Sequence, residues 1–190
     1  MTSFQKNPVL IALVGLAGTG KSEAGEVLLE MGYQIVYFGG TVLEQVQKRG
    51  MPITPENERV VREELRAQHG MAAMALLRLP EIKALLAAGR LVAIDGLYSF
   101  AEYELLKANF GNQLKVLAIH APKALRYARL AARKLRPLTA LQVDERDFFE
   151  IKNLDKGGPI AIADAHIINE GSACELHEKV RQTIKQLASQ

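Results

Sequence analysis

Residues 15–22 have the sequence GLAGTGKS, and this short segment constrains the fold more than any other part of the chain. Its spacing fits the pattern G-x-x-x-x-G-K-[ST] of a phosphate-binding P-loop. The apolar run from Val9 to Val14 comes before it, and a helical pattern begins near Glu23. A glycine-rich turn that fitted by chance would have to supply this strand and helix as well. We therefore predict that the segment binds a nucleoside triphosphate.

The residue types of this segment suit the binding of phosphate and Mg²⁺. Its glycines let successive backbone N–H groups turn toward phosphate oxygens, and its lysine reaches the β- and γ-phosphates. The hydroxyl that follows the lysine is placed to bind Mg²⁺. The segment alone leaves open whether the phosphoryl group goes to water, to a small molecule or to no acceptor. The predicted nucleotide-binding residues are Gly15, Ala17, Gly18, Thr19, Gly20, Lys21 and Ser22.

The size and composition of the chain limit the class of protein. With 190 residues, 48% of them hydrophobic, it is long enough for one buried core and too short for two typical domains, so we predict one domain over residues 1–190. The net charge of +3 does not predict a nucleic-acid surface, and acidic small molecules are sufficient partners. The single cysteine, Cys174, excludes an intramolecular disulfide.

The sequence has no run that resembles a membrane span or an export signal. Apolar runs fall short of the roughly 18 residues of a membrane span, and the apolar stretch after Lys6 is short and leads directly into the P-loop. We expect a soluble, cytoplasmic protein without a membrane partner. The oligomeric state does not follow from the sequence.

Several short apolar runs alternate with helical patterns along the chain. Runs of this kind are typical of strands that are buried on both faces of a sheet. Because helical segments separate them, we predict an α/β fold with a mostly parallel sheet. The predicted strands are Val9 to Val14, Gln34 to Phe38, Leu91 to Ile94, Leu114 to Ile119 and Ala165 to Ile168.

Residues that start or stop helices mark the segments between these strands. Thr54 is a suitable N-cap for a helix that begins at Pro55, and Gly70 is a natural terminator of that helix. Another helix is predicted from Met71 to Ala88, bent or interrupted near Pro80. The last helix is predicted to pack on the sheet through Leu176, Val180, Ile184 and Leu187.

A carboxylate stands at the end of the third predicted strand. In an open parallel sheet, ligands bind beyond the carboxyl ends of the strands, where both the P-loop and Asp95 would lie. Asp95 is therefore a candidate to hold a Mg²⁺-bound water or to accept a proton from an attacking group. The alternative is an aspartate that only caps a turn with Gly96.

Arginines recur at helical spacing after Pro122, beside an apolar stripe. Arginine suits a phosphate clamp because its planar guanidinium is permanently charged and binds oxygens in pairs. A row of solvated arginines is the alternative, but near a triphosphate we expect at least one of them to act in catalysis. The row consists of Arg126, Arg129, Arg133 and Arg136, and the stripe of Leu125, Ala128, Ala132 and Leu135.

Two further charged segments are candidates for substrate binding. Residues 143–150 are rich in charge and poor in apolar anchors, so they are predicted either to form a mobile lid that excludes water or to be an ordinary surface helix. Arg59, Arg62 and Arg66 share the helix predicted after Thr54. They are either salt-bridged and solvated or part of an acceptor site opposite the P-loop.

These segments together resemble the P-loop small-molecule kinases of the adenylate kinase and dephospho-CoA kinase type. The resemblance spans nearly the whole chain and is strongest to a group of adenylate-kinase-related, dephospho-CoA-kinase-like proteins. The P-loop is highly specific for phosphate binding, whereas the other segments say less about substrate. Those segments are Gly32-Tyr33 with Phe38-Gly39, TPEN (54–57), Leu65-Arg66 with HGM (69–71), Asp95-Gly96, ERD (145–147) and ADAHIINEGS (163–172).

The resemblance implies a P-loop NTPase fold with three α/β/α layers, a five-stranded parallel sheet, a helical acceptor-binding insertion within residues 38–90 and a lid near 135–158. It implies transfer of the γ-phosphoryl group of ATP to a nucleotide-like small molecule, of the nucleoside monophosphate or dephospho-CoA class. Positive charge and Mg²⁺ would stabilise the transferring group. The residues so assigned are Lys21 for catalysis, Arg133 or Arg146 for a lid-side positive charge, Ser22 for the metal, and Asn169 and Gly171 for the adenine. Asp95, from its place at the strand end, is the further candidate for catalysis and for the metal.

The sequence departs from the family pattern in one place. Nucleoside monophosphate kinases of this type usually carry an arginine shortly after the Asp-Gly pair, which grips the acceptor phosphate, whereas Tyr98 follows here. A tyrosine offers a hydroxyl and a ring but no charge, so an arginine of the insertion would have to compensate. The candidate acceptor-binding residues are Phe38, Arg49, Arg59, Arg62 and Tyr98.

Two other functions are compatible with the sequence. A nucleotide-responsive regulatory protein would bind ATP with little or no phosphotransfer, and Tyr98 would then mark lost acceptor chemistry. Modification of nucleic-acid ends would draw on the mildly basic charge, but the chain has no dense basic stripe interleaved with aromatic residues. We therefore expect a kinase that uses ATP and Mg²⁺, acts on a small-molecule acceptor and has no nucleic-acid partner.

Overall fold

The computed structural model describes residues 9–189, so the two ends of the predicted domain, residues 1–8 and residue 190, lie outside the described part. Within that range the strands are β1 (Leu10–Val14), β2 (Gln34–Tyr37), β3 (Val92–Asp95), β4 (Leu114–His120) and β5 (Ala165–Ile168). They form one parallel sheet in the order β2-β3-β1-β4-β5. The predicted five-stranded parallel sheet is therefore confirmed.

Helices connect these strands and cover both faces of the sheet. Their bounds are α1 (Lys21–Glu30), α2 (Phe38–Lys48), α3 (Pro55–His69), α4 (Ala73–Ala87), α5 (Phe100–Phe110), α6 (Lys123–Ala131), α7 (Ala140–Lys152), α8 (Gly157–Ala161) and α9 (Ala173–Ser189).

Strand β1 shows how the three layers are built. All of its residues are buried, and alternate side chains enter two separate apolar clusters. Ile11 and Leu13 pack with residues of α1 and α9, whereas Leu10, Ala12 and Val14 pack with residues of α2, α3, α4 and α5. A strand buried on both faces reads as a continuous apolar run, which explains the sequence LIALV. The predicted α/β/α arrangement is confirmed.

The residues predicted to start and stop helices do so in the structure. The Thr54 hydroxyl accepts a hydrogen bond of 3.3 Å from the Asn57 backbone N–H, Pro55 begins α3, and Gly70 follows its last residue. Pro80 lies inside α4, which continues on both sides of it, so of the two predicted alternatives the interruption is wrong and the bend stays a prediction. The apolar stripe predicted for the last helix is buried, as expected, at Leu176, Val180, Ile184 and Leu187.

The prediction that the four arginines share one helical face is wrong beyond the end of α6, because this helix stops at Ala131. Pro137 disfavours helical backbone at the residue before it, and Arg136 has a positive φ of 52°. Arg133 and Arg136 therefore lie in the loop after α6. Leu135, predicted to belong to the apolar stripe, is 84% exposed.

The segments predicted to bind the acceptor and to form a lid flank the P-loop edge of the sheet. Helices α2, α3 and α4 pack against one another between β2 and β3, within the predicted insertion. Helix α7 lies within the predicted lid, and its Val143 packs against Ala17 of the P-loop and Leu130 of α6. Among residues 9–189, no helix is long and apolar enough to cross a membrane.

Candidate functional site

A pocket of about 670 Å³ lies where the P-loop meets the carboxyl ends of the central strands. This volume is in the range of sites that bind small molecules. The pocket wall includes the P-loop, the end of β3, the loop after α6, helix α7 with the turn that follows it, and the loop after β5. The position is the one expected for a ligand on an open parallel sheet.

Two glycines give the P-loop its shape. Gly18 and Gly20 have φ angles of +80° and +105°, which residues with side chains rarely adopt. A Cβ at Gly20 would lie 2.4 Å from Asn169 Nδ2, and one at Gly18 would lie 2.9 Å from the Arg126 carbonyl oxygen. Both positions therefore require glycine for backbone conformation and for space.

The side chain of Lys21 folds back over the P-loop. Its Nζ donates to the carbonyls of Gly15 at 2.8 Å and Leu16 at 2.9 Å. Burial lowers the pKa of Lys21 most, and the positive charge of Lys156 lowers it further, to about 7. An anion in the pocket would favour the charged ammonium and so oppose both effects. This environment suits a lysine that binds phosphate.

Asp95 ends β3 beside Leu13 of β1 and lies on the pocket wall with Ser22. Burial raises the pKa of its carboxyl, while the charges of Lys21 and Lys156 act in the opposite direction. In the described range, no group of three or more His, Cys, Asp or Glu side chains is arranged to hold a metal ion. A Mg²⁺ ion near Ser22 and Asp95 would therefore take most of its ligands from phosphate oxygens and water, which is usual for Mg²⁺.

Side chains from two distant parts of the chain brace the P-loop. Arg126 of α6 donates to the Ala17 carbonyl at 2.8 Å and forms an ion pair with Asp147 of α7. Asn169, after β5, donates its side-chain amide to the Thr19 carbonyl at 2.8 Å. Arg126 and Asn169 are each 5% exposed. They hold the loop through its backbone carbonyls.

A cluster of charges, in which Glu150 and Lys156 are buried and Arg146 is exposed, forms the wall contributed by α7 and the turn after it. Glu150 accepts from Arg146 Nε at 2.9 Å on one carboxylate oxygen and from Lys156 Nζ at 2.7 Å on the other. The Lys156 ammonium also lies 4.7 Å from the centroid of the Tyr98 ring. The positive partners hold the pKa of Glu150 below its usual value, although burial alone would raise it. The cluster therefore keeps two cations at the pocket.

The residues after Asp95 and Gly96 are fixed by a capping box at the start of α5. The Ser99 hydroxyl accepts from the Glu102 N–H, and Glu102 Oε2 accepts from the N–H groups of Tyr98 at 2.7 Å and Ser99 at 3.1 Å. Burial raises the pKa of Glu102 to about 7. Glu102 Oε1 and the Nε of Arg66 are buried without a hydrogen-bond partner. The capping box fixes the backbone at Tyr98, whose side chain lines the pocket.

The pocket brings together many of the predicted site residues. Those that line it are Ala17, Gly18, Gly20, Lys21, Ser22, Asp95, Tyr98, Arg133, Arg146, Asn169 and Gly171.

The other predicted site residues do not line the pocket. Gly15 is buried, and the Thr19 hydroxyl donates to the Leu16 carbonyl at 3.0 Å within the loop. Phe38, predicted to end the second strand, begins α2 and is fully buried in the core. Arg49 forms an ion pair with Glu64. Arg59 and Arg62 lie on α3, the first exposed and the second half-buried.

The residues of the pocket wall that the sequence did not single out as site residues include Tyr37 and, above all, Lys156, whereas Arg129 was predicted only as a member of the arginine row. Lys156 belongs to no periodic pattern, because it stands in the turn between α7 and α8. The available signal was the segment Asp155 to Pro159, in which a lysine precedes two glycines and a proline. Asp155 has a positive φ of 50°, so this turn has a specific shape.

A family model described as an AAA domain matches residues 11–147. The match covers β1, the P-loop and most of the helices described above. A UPF0200 protein of Pyrococcus abyssi is 34% identical over 182 residues, which cover 94% of this chain and 97% of the relative.

Solved structures with the same fold include small-molecule kinases. A gluconokinase from Sinorhizobium meliloti 1021 has a TM-score of 0.60 and 16% identity, with 97% of this chain and 96% of that chain covered. A dephospho-CoA kinase from Campylobacter jejuni has a TM-score of 0.56 and 14% identity, with 95% and 98% covered. At such identities the similarity is one of fold.

Proposed function

The chain belongs to the UPF0200 family and contains an AAA domain with a P-loop, and on this basis we propose that it transfers the γ-phosphoryl group of ATP to a small-molecule acceptor. The observation that carries this proposal is the single pocket that contains Lys21 of the P-loop, Asp95 at the end of β3 and the cations of the α7 wall. Phosphoryl transfer needs positive charge around the moving group and a group that accepts the acceptor's proton.

The position of each of these side chains in the pocket supports a particular role in phosphoryl transfer. Lys21 binds the β- and γ-phosphate oxygens, and Ser22 faces the Mg²⁺ that neutralises charge when MgATP is bound. Asp95 accepts the proton of the attacking acceptor oxygen. As the acceptor oxygen bonds to the γ-phosphorus, the bond from that phosphorus to the β–γ bridging oxygen breaks, and ADP leaves. Arg133 and Arg146 add positive charge from the loop after α6 and from α7.

An enzyme that only hydrolysed ATP would not need side chains from so many elements around this pocket. We propose that helices α2, α3 and α4 form the acceptor side and that residues 135–158 cover the nucleotide, so that an acceptor competes well with water. For the acceptor we propose a nucleotide-like molecule of the nucleoside monophosphate or dephospho-CoA class. Tyr37 and Tyr98 on the pocket wall support an acceptor with a flat ring, because aromatic side chains offer stacking surfaces.

The test is ADP release by the purified protein from MgATP, alone and with AMP, CMP, UMP, dAMP, dephospho-CoA or gluconate. Lys21→Ala removes the phosphate-binding ammonium, and Lys152→Ala, at an exposed position of α7, is the matched control. We expect one acceptor to stimulate ADP release in the wild type and in Lys152→Ala but not in Lys21→Ala. Tight ATP binding with the same slow rate under every condition would favour a regulatory protein instead.

A further inference from the structure

Lys156 is a buried cation on the wall of the nucleotide pocket. The residue is 1% exposed, yet it lines the pocket together with Lys21 and Asp95. Its ammonium has three N–H donors, of which Glu150 uses one at 2.7 Å, while the Tyr98 ring lies 4.7 Å away. Lysine is almost never fully buried unless its charge is paired, and here Glu150 supplies that partner.

A purely structural ion pair does not account for this arrangement. Glu150 already has a cationic partner in Arg146, so the carboxylate would stay paired without Lys156. Buried ion pairs are weak contributors to stability, because desolvation offsets their attraction. In addition, Lys156 acts against Lys21, since its positive charge helps to lower the pKa of that lysine. The repulsion between two ammonium groups in one pocket is offset when an anion binds between them.

The turn that carries Lys156 is held firmly. Asp155 has a φ of 50°, and the Phe100 N–H donates to the Leu154 carbonyl at 3.3 Å. A Cβ at Gly158 would lie 2.5 Å from a ring carbon of Phe100, so the glycine allows close packing of this turn on the start of α5. The ammonium is therefore preorganised, which is how enzymes stabilise charge on a transferring group.

We propose that Lys156 Nζ binds the γ-phosphoryl group of ATP together with Lys21, while Glu150 holds the ammonium in place. The inference rests on the proposed function and adds a second lysine to it. Because the contact is to the γ-phosphoryl group, it is made with a nucleoside triphosphate and not with a diphosphate. Arg146, on the second oxygen of Glu150, keeps that carboxylate paired while Lys156 turns a free N–H to the phosphate.

The test compares the binding of ADP with that of AMP-PNP, a non-hydrolysable ATP analogue, by calorimetry with Mg²⁺ present. In Lys156→Met we expect AMP-PNP to bind about 10- to 100-fold more weakly, the effect of one charge-assisted hydrogen bond, and ADP to change less than about twofold. Lys156→Arg, which keeps the cation, is expected to recover most of the loss. Lys152→Met, at an exposed lysine of α7, is the matched control and should leave both affinities unchanged.

The double variant Lys156→Met/Glu150→Gln removes both charges of the buried ion pair. It therefore leaves no buried carboxylate without its Lys156 partner, and it replaces Lys156→Met in the comparison if that single variant does not fold. Thermal unfolding of each variant identifies those that remain folded. Equal affinities for AMP-PNP in the wild type and in the folded variants would overturn the role of Lys156, as would an equal loss for ADP. Failure of the wild type itself to bind either nucleotide would instead overturn the proposed function, and the inference with it.

Discussion

The side-chain amide of Asn169 donates a hydrogen bond of 2.8 Å to the backbone carbonyl of Thr19, so the loop after β5 holds the P-loop directly. The resemblance to P-loop kinases predicts that Asn169 lies near the adenine. Its position in the structure adds a role that does not need nucleotide, because the contact is made within the protein.

Asn169→Ala is expected to lower the free energy of unfolding by about 1–3 kcal/mol, since it leaves the buried Thr19 carbonyl without its donor. Urea unfolding in the absence of nucleotide measures this. Asn109→Ala is the matched control, because the Asn109 amide makes an exposed hydrogen bond on α5 and its loss should cost less than about 0.5 kcal/mol. Equal stability of the two variants would mean that the bond to Thr19 does not brace the loop.

Arg126→Met should destabilise the protein by about 3–5 kcal/mol, because it leaves the mostly buried Asp147 carboxylate and the Ala17 carbonyl without their shared partner. The comparison is Arg181→Met, which breaks the exposed ion pair with Glu30 and should cost less than about 1 kcal/mol. Chemical denaturation of both variants gives the difference. A loss at Arg126 no larger than at Arg181 would contradict the bracing role of α6.

Glu102 makes the stability of the protein depend on pH. Its pKa is about 7 in the folded protein against 4.5 for the ordinary side chain, so between these values the folded protein binds more protons than the unfolded chain. The contribution of Glu102 is therefore fully present below pH 4.5 and is lost as the pH rises through 7. The slope is at most about 1.4 kcal/mol per pH unit. The hydrogen bonds from the Tyr98 and Ser99 backbone N–H groups oppose this rise in the pKa of Glu102, as do the charges of Arg66 and Lys156.

Glu102→Gln should remove this slope from the free energy of unfolding measured between pH 4.5 and 7. Glu104→Gln, an exposed position on the same helix, should keep the profile of the wild type. A Glu102→Gln protein with an unchanged pH profile would show that Glu102 titrates outside this range.

Asp95→Asn tests the proton acceptor of the proposed reaction. We expect kcat to fall by about 10²- to 10⁴-fold, the usual contribution of a general base, while the affinity for ADP changes little. Glu104→Gln, which makes the same acid-to-amide change at an exposed position of α5, is the matched control and should keep the kcat of the wild type. A kcat within about threefold of the wild type would exclude Asp95 as the base.

Short-range sequence patterns were sufficient to predict the sheet and the P-loop. The strand LIALV is buried on both faces and therefore has no polar alternation, and the spacing of glycines before Lys21 follows from the φ angles that the loop needs. Asp95 could be placed because the carboxyl ends of parallel strands meet at one edge of the sheet.

The contacts that complete the pocket join residues far apart in sequence, and no local pattern encodes them. Lys156 reaches Tyr98 through a turn whose shape depends on Asp155, and Asn169 reaches Thr19 from the other end of the chain. The prediction of one arginine face was wrong because it assumed a helix that continues past Ala131, where α6 ends.

The central claim is phosphoryl transfer to a small molecule, and the most direct measurement is the transfer of label from γ-labelled ATP to a protein-free metabolite extract, followed by chromatography. We predict a labelled small molecule with the wild type that is absent with Lys21→Ala. Label found solely in inorganic phosphate, released at the same rate by the wild type and Lys21→Ala, would contradict the claim.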